Sequence, residues 1–167
     1  MTAPGNLLLV EDNEDDAFLM TRALKSAAVE LPMQIVGDGQ RAMDYLRGAG
    51  AYGDRDAYPL PDVIFLDIKL PQVDGLEVLR WIREQPSIRR TVVIILTSSN
   101  HPDDVRRAYD LGANSYVVKP ASYQDLVQFA KAFKAYWLSC NQPPGTANPL
   151  LAPTTKPISS NAAPSTA

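Results

Sequence analysis

Five short apolar runs, each followed by a stretch with helical spacing, constrain this chain more than any other feature. The middle run is the most telling: Asp62-Val-Ile-Phe-Leu-Asp67-Ile-Lys-Leu-Pro71-Gln-Val-Asp-Gly75. Val63 to Leu66 is continuous, apolar and partly β-branched, which suits a strand buried on both faces of a parallel sheet. The run stops on Asp67, an ionisable group that a buried strand does not carry without a reason. Taken alone, Asp67 could be a turn or capping residue. Asp74-Gly75 then leads into the next helical pattern.

The other four runs follow the same plan. Leu7 to Val10 ends on Glu11-Asp12, and Asn13 is a fitting N-cap with Glu14, Asp15 and Asp16 in the first turn. Met33 to Val36 reads as a strand turning at Gly37-Asp38-Gly39, and Ala42, Met43 and Leu46 mark a helix that ends near Gly48. Residues 48–61 carry glycine, proline, Tyr52 and Tyr58 without a period, so they read as a loop. Its length leaves two readings open, a family-specific insertion or an inert excursion. Thr91 to Leu96 ends on Thr97-Ser98-Ser99, and a helix opens at Pro102 and stops at Gly112. His101 is read as a turn residue rather than a phosphoryl carrier. Ser115 to Val118 ends on Lys119-Pro120, and Ser122 caps a last helix, with Asp125 as its N3 partner, running to about Ser139.

A fivefold βα alternation predicts an α/β fold with helices on both faces of a parallel sheet. The natural form is a flavodoxin-like, doubly wound, five-stranded parallel sheet of order 2-1-3-4-5 with five helices. Residues 1–5 are a lead and 6–139 the domain. Residues 140–167 hold six of the fourteen prolines and are expected to be a disordered tail. The formal net charge of −3 argues against non-specific nucleic-acid binding. The single cysteine, Cys140, cannot form an internal disulfide. With no signal-peptide pattern and no apolar run of about 18 residues, the expectation is a cytoplasmic protein without a membrane span.

In such a sheet the working groups lie beyond the carboxyl ends of the strands. Strands one, three, four and five are contiguous in this order, so Glu11, Asp12, Asp67, Thr97 and Lys119 converge. Three carboxylates repel one another unless a cation joins them. Oxygen ligands without histidine or cysteine favour a hard ion such as Mg²⁺. Three negative charges against Mg²⁺ and Lys119 sum to zero, leaving Asp67 ionised as an oxygen nucleophile toward a phosphoryl group. The metal and Lys119 would neutralise the transferring oxygens, and the Thr97 hydroxyl could bond them.

Val10-Glu-Asp12, Leu66-Asp-Ile-Lys-Leu-Pro71 with Asp74-Gly75, Leu96-Thr-Ser98 and Tyr116-Val-Val-Lys-Pro120 together resemble the receiver domain of two-component response regulators. The resemblance implies that Asp67 accepts phosphate from a histidine kinase or a histidine phosphotransfer protein. It implies Glu11 and Asp12 as the acidic pair, with Mg²⁺ held by Asp12, Asp67 and the backbone carbonyl of Lys69. It implies Thr97 and Tyr116 as a switch pair, Lys119 as the phosphate-contacting lysine, and a cis peptide at Lys119-Pro120. Tyr116 could otherwise be a fixed edge aromatic.

The short proline-rich tail implies output through protein contacts of the helix 4, strand 5 and helix 5 surface, without a DNA-binding domain. Apolar groups on two stripes of the last helix favour a homodimer there: Leu126, Ala130, Phe133 and Trp137 on one, Phe129 and Tyr136 on the other. The 48–61 loop, the Asp67 run and the aromatic end of the last helix are similar to stand-alone regulators paired with phytochrome-type histidine kinases. Among other classes, a phosphatase or mutase would want a second carboxylate where Lys69 stands. A flavin or nucleotide binder would not place Glu11 to Asp16 against phosphate. A receiver-like scaffold that is never phosphorylated also stays open. Such a receiver is no enzyme beyond its own phosphorylation and dephosphorylation.

Overall fold

A computed structural model describes residues 5–144. The expected tail therefore lies outside the described residues from position 145 onward. Five parallel strands form one sheet in the order β2-β1-β3-β4-β5: β1 Asn6–Val10, β2 Met33–Val36, β3 Pro61–Leu66, β4 Val92–Thr97 and β5 Ser115–Val118. Five helices connect and flank them: α1 Glu14–Ser26, α2 Gly39–Arg47, α3 Gly75–Glu84, α4 Pro102–Asp110 and α5 Tyr123–Phe133. A π-helical turn, Lys134–Leu138, extends α5 close to the length its sequence indicates.

The apolar runs are continuous because each central strand serves two cores. Leu8, Val10, Ile64, Leu66, Val93 and Ile95 face α2, α3 and α4. Their neighbours Leu7, Leu9, Val63, Phe65, Ile94 and Leu96 face α1 and α5. Alternate side chains of a strand point to opposite faces, so a strand covered on both sides has no polar positions. Phe65 anchors the second core against Phe133, with ring centroids 4.9 Å apart. Phe129 also packs on Phe65. The second apolar stripe of α5 is thus partly core, with Tyr136 left exposed.

The helix starts are written locally. The side chains of Asn13, Asp38, Asp74, His101 and Ser122 each accept a backbone N–H of the first turn. His101 is therefore a capping residue, as its position before Pro102 implies. The cap of α5 departs from the reciprocal box, because the Asp125 carboxylate accepts the Ser122 hydroxyl rather than its backbone N–H.

Residues 48–61 are tied down. Arg55 donates to the carbonyls of Tyr45, Leu46 and Tyr58, so one guanidinium closes the last turn of α2. Tyr52 and Tyr58 stack edge-on with each other and around the buried Tyr45, whose hydroxyl donates to Pro59.

Candidate functional site

Backbone hydrogen bonds continue the sheet ladder past the strands and set the site's geometry. Glu11 N–H donates to Val36, Asp67 N–H to Val10, and Lys119 N–H to Thr97, at 3.0, 3.1 and 2.7 Å. The residues that end β1, β3 and β5 therefore stand side by side. Glu11, Asp67 and Thr97 are buried and Lys119 is half-buried, while Asp12 opens to solvent. Gly75 lets the start of α3 rest on the Asp67 backbone, where an added Cβ would stand 2.0 Å from the Asp67 carbonyl oxygen. The requirement is close approach rather than an unusual backbone angle.

One oxygen from each of Glu11, Asp12 and Asp67 lies within 4.8 Å of the others. That donor set, all carboxylate and half open to water, fits a hard divalent cation such as Mg²⁺. The Lys119 ammonium faces the same centre. Its Nζ lies 2.5 Å from Glu11 Oε2, 2.9 Å from Asp67 Oδ2 and 2.9 Å from Asp16 Oδ2. Asp67 Oδ1 accepts the Lys69 N–H, and Glu11 Oε1 accepts the Asn13 N–H. Every oxygen of the two buried acids is thus engaged, as buried charges require.

Burial alone would lower the Lys119 pKa, but hydrogen bonds to Glu11, Asp16 and Asp67 outweigh it and hold the ammonium above its usual range. Glu11 moves the other way for a paired acid. Burial raises its pKa, and the Lys119 and Asn13 bonds only partly offset that. Burial is the largest effect on both groups; hydrogen bonds overcome it at Lys119 but not at Glu11, and the Asp67 charge adds a smaller push in the same sense at each. The ammonium is the secure charge here, and Glu11 the strained one.

Thr97 is buried, and its hydroxyl oxygen accepts the Ser99 N–H at 3.4 Å. The Tyr116 hydroxyl donates to the Ser99 carbonyl at 2.9 Å, so the ring spans to the loop between β4 and α4. Burial raises the Tyr116 pKa. Ser99 Oγ donates to Asp104 at 2.6 Å, tying that loop to α4. The structure brings Glu11, Asp12, Asp67 and Lys119 together, and places Thr97 and Tyr116 on the adjoining Ser99 loop.

Two points differ from expectation. The Lys119-Pro120 peptide is trans, since no cis bond occurs among the described residues. Trans is the favoured isomer of an X–Pro bond by about 0.5–1 kcal/mol, and Lys119 reaches all three carboxylates from it. Asp16 is the second: its first-turn position was read only as a helix-terminal charge, yet it contacts Lys119 directly. The acidic run Glu11 to Asp16 held that signal, but only the lean of α1 over the end of β5 resolves it.

The response regulator receiver domain model matches residues 7–131. The chain belongs to the response regulator receiver family. It is 41% identical over 147 residues to the probable methanogenesis regulatory protein FilR2 of Methanothrix harundinacea, covering 86% of this chain and 90% of that one. It is 36% identical over 135 residues to response regulator Rcp1 of Synechocystis sp., covering 81% and 90%. The Mn²⁺-bound form of Rcp1 superposes with a TM-score of 0.76 at 35% identity, over 85% of this chain and all of that one. The phosphorylated cyanobacterial phytochrome response regulator RcpA superposes with a TM-score of 0.79 at 38% identity, over 86% and 100%. The chain thus covers most of the length of FilR2 and Rcp1 and all of the RcpA structure. It is a receiver-domain signalling protein built on the flavodoxin-like fold. Among the described residues no helix is long and apolar enough to cross a membrane.

Proposed function

We propose that Asp67 is the phosphoacceptor of a single-domain response regulator, loaded from a histidine kinase or a histidine phosphotransfer protein. The observation that carries this reading is the position of the Asp67 carboxylate. It lies between a cation-ready pair, Glu11 and Asp12, and an ammonium 2.9 Å away. An Asp67 oxygen forms the O–P bond as the donor's P–N bond breaks, its electron pair staying on the imidazole nitrogen. Lys119 turns an N–H toward the phosphoryl oxygens as their charge shifts. Glu11, Asp12, Asp67 and the Lys69 carbonyl would hold Mg²⁺, which neutralises phosphoryl charge when bound.

The added phosphoryl charge and acceptors bias a switch. The Thr97 hydroxyl leaves Ser99 for the phosphoryl group, and the loop carries the Tyr116–Ser99 bond with it. The surface of α4, β5 and α5 changes in consequence. Exposed Tyr109 of α4, Val118 of β5 and Tyr136 of the π-helical turn that extends α5 support a homodimer there. The loading kinase is of the phytochrome type, by analogy with RcpA, and the compartment is the cytoplasm. Domain limits of 6–139, with 140–167 as an appended tail, complete the reading.

Intact mass after incubation with acetyl phosphate and Mg²⁺ tests it. One phosphate adduct, abolished by EDTA and absent in Asp67→Asn, is the expected result. No adduct on the wild type, with Mg²⁺ bound, would mean a scaffold that is never phosphorylated.

A further inference from the structure

A lysine ammonium has three protons to donate, and here three carboxylates take all of them: Glu11, Asp67 and Asp16. Two of those contacts are contested in the reaction proposed above. Asp67 loses its charge to the new O–P bond. Glu11 has one oxygen committed to the Asn13 N–H, so its remaining oxygen is shared between Lys119 and any cation. Asp16 belongs to neither contest. It lies outside the carboxylate group that converges on a cation site. Its backbone is fixed, because its N–H is the one accepted by the N-cap Asn13.

We propose that Asp16 is a positioning residue for Lys119, the fixed anchor about which the ammonium turns from Asp67 to the arriving phosphoryl oxygen. This rests on the reading of Asp67 as acceptor. A divalent cation beside Glu11 repels the ammonium, which sits on a flexible four-carbon stem at the rim of a small groove. That groove, about 90 Å³, is lined by Asp16, Leu19 and Met20 of α1 and by Lys119, Pro120 and Ala121. Without Asp16 the ammonium is free to leave through it. Asp16 also changes the charge balance of the site. Four carboxylates against one lysine and one divalent cation leave one negative charge, so phosphoryl stabilisation depends on direct contact with a held lysine.

The test is the rate of adduct formation by the full chain at saturating Mg²⁺ as acetyl phosphate is varied. Losing a charge-assisted hydrogen bond that places a transition-state donor lowers the maximal rate about tenfold in Asp16→Ala. The half-saturating donor concentration changes little. Asp16→Asn keeps an acceptor oxygen and recovers most of that rate. In a Lys119→Met background, Asp16→Ala removes no further rate, because two residues acting as one unit are not additive. An equal or faster maximal rate in Asp16→Ala overturns the proposal. So does an undiminished further loss in the Lys119→Met background. A wild type that takes no adduct overturns the acceptor reading and this proposal with it, whereas a wild type that takes one isolates the role of Asp16.

Discussion

Glu11 shows how burial disfavours the charge of a single acid even when a lysine pairs with it. Its pKa is raised first by burial, with Asp67 adding to the rise and Lys119 and Asn13 opposing it. A raised carboxyl binds its proton more tightly folded than unfolded. Between the ordinary value of 4.5 and the higher folded value, the native state therefore holds more protons, and stability falls as pH rises through that window. Glu11→Gln removes this dependence. Urea unfolding in EDTA should find the variant close to wild type near pH 4 and more stable at pH 8. A gap that closes or reverses toward pH 8 would contradict the burial argument. Added Mg²⁺ should reverse the order at pH 8, because the wild type alone regains its counter-charge.

At this scale much of the site was legible in the sequence. Glu11, Asp67, Thr97 and Lys119 each end an apolar run, and a run's end is read from composition alone. Asp16 was not legible, because a first-turn acid is already explained by the helix dipole. The isomer of the Lys119-Pro120 bond was not legible either, since local energies differ too little to decide it.

Among the elements, α3 has the strictest fit to the site. Gly75 opens it, capped by Asp74 and hydrogen-bonded through its own N–H to the Ile68 carbonyl at 2.9 Å. A Cβ here meets the Asp67 carbonyl at 2.0 Å and the Ile68 Cα at 2.6 Å, both backbone atoms that cannot turn aside. Gly75→Ala should cost about 3 kcal/mol in denaturant unfolding, the upper range for overpacking. It should also slow phosphorylation of the fraction that remains folded, since the displaced backbone is that of Asp67, the proposed acceptor. A variant with wild-type stability and rate would show that α3 can slide, contrary to the packing. The strands were legible from run ends and two helix caps from Asn13 and Ser122, whereas Asp38, read as a turn residue, and Asp74, read only as leading into α3, prove to be caps as well. The loop at 48–61 was not, because its order comes from Arg55 and three tyrosines meeting across sequence.

For the whole molecule, the sheet edge at β5 is where a phosphorylation signal would leave. Strand β5 is the least covered of the five; Val118 at its end is 44% exposed, and Tyr109 of α4 is 50% exposed. Tyr109 already reaches back to this edge, its hydroxyl accepting the Tyr116 N–H at 3.2 Å. The same strand holds Tyr116, whose hydroxyl is bound to the loop that follows Thr97. The proposed switch residue and the exposed edge thus share one strand, and a hydrogen bond links Tyr116 to the Ser99 loop. A lysine on an exposed edge blocks pairing with a second copy. Val118→Lys should therefore still gain the phosphate adduct at the wild-type rate, because its side chain lies outside the site. It should weaken phosphorylation-dependent self-association by at least about tenfold, the loss of one buried valine with a charge in its place. Sedimentation of both proteins with acetyl phosphate and Mg²⁺ measures this. If the phosphorylated variant associates as the wild type does, the partner surface lies elsewhere, and the exposed Phe18 and Leu19 of α1 would be the next face to alter.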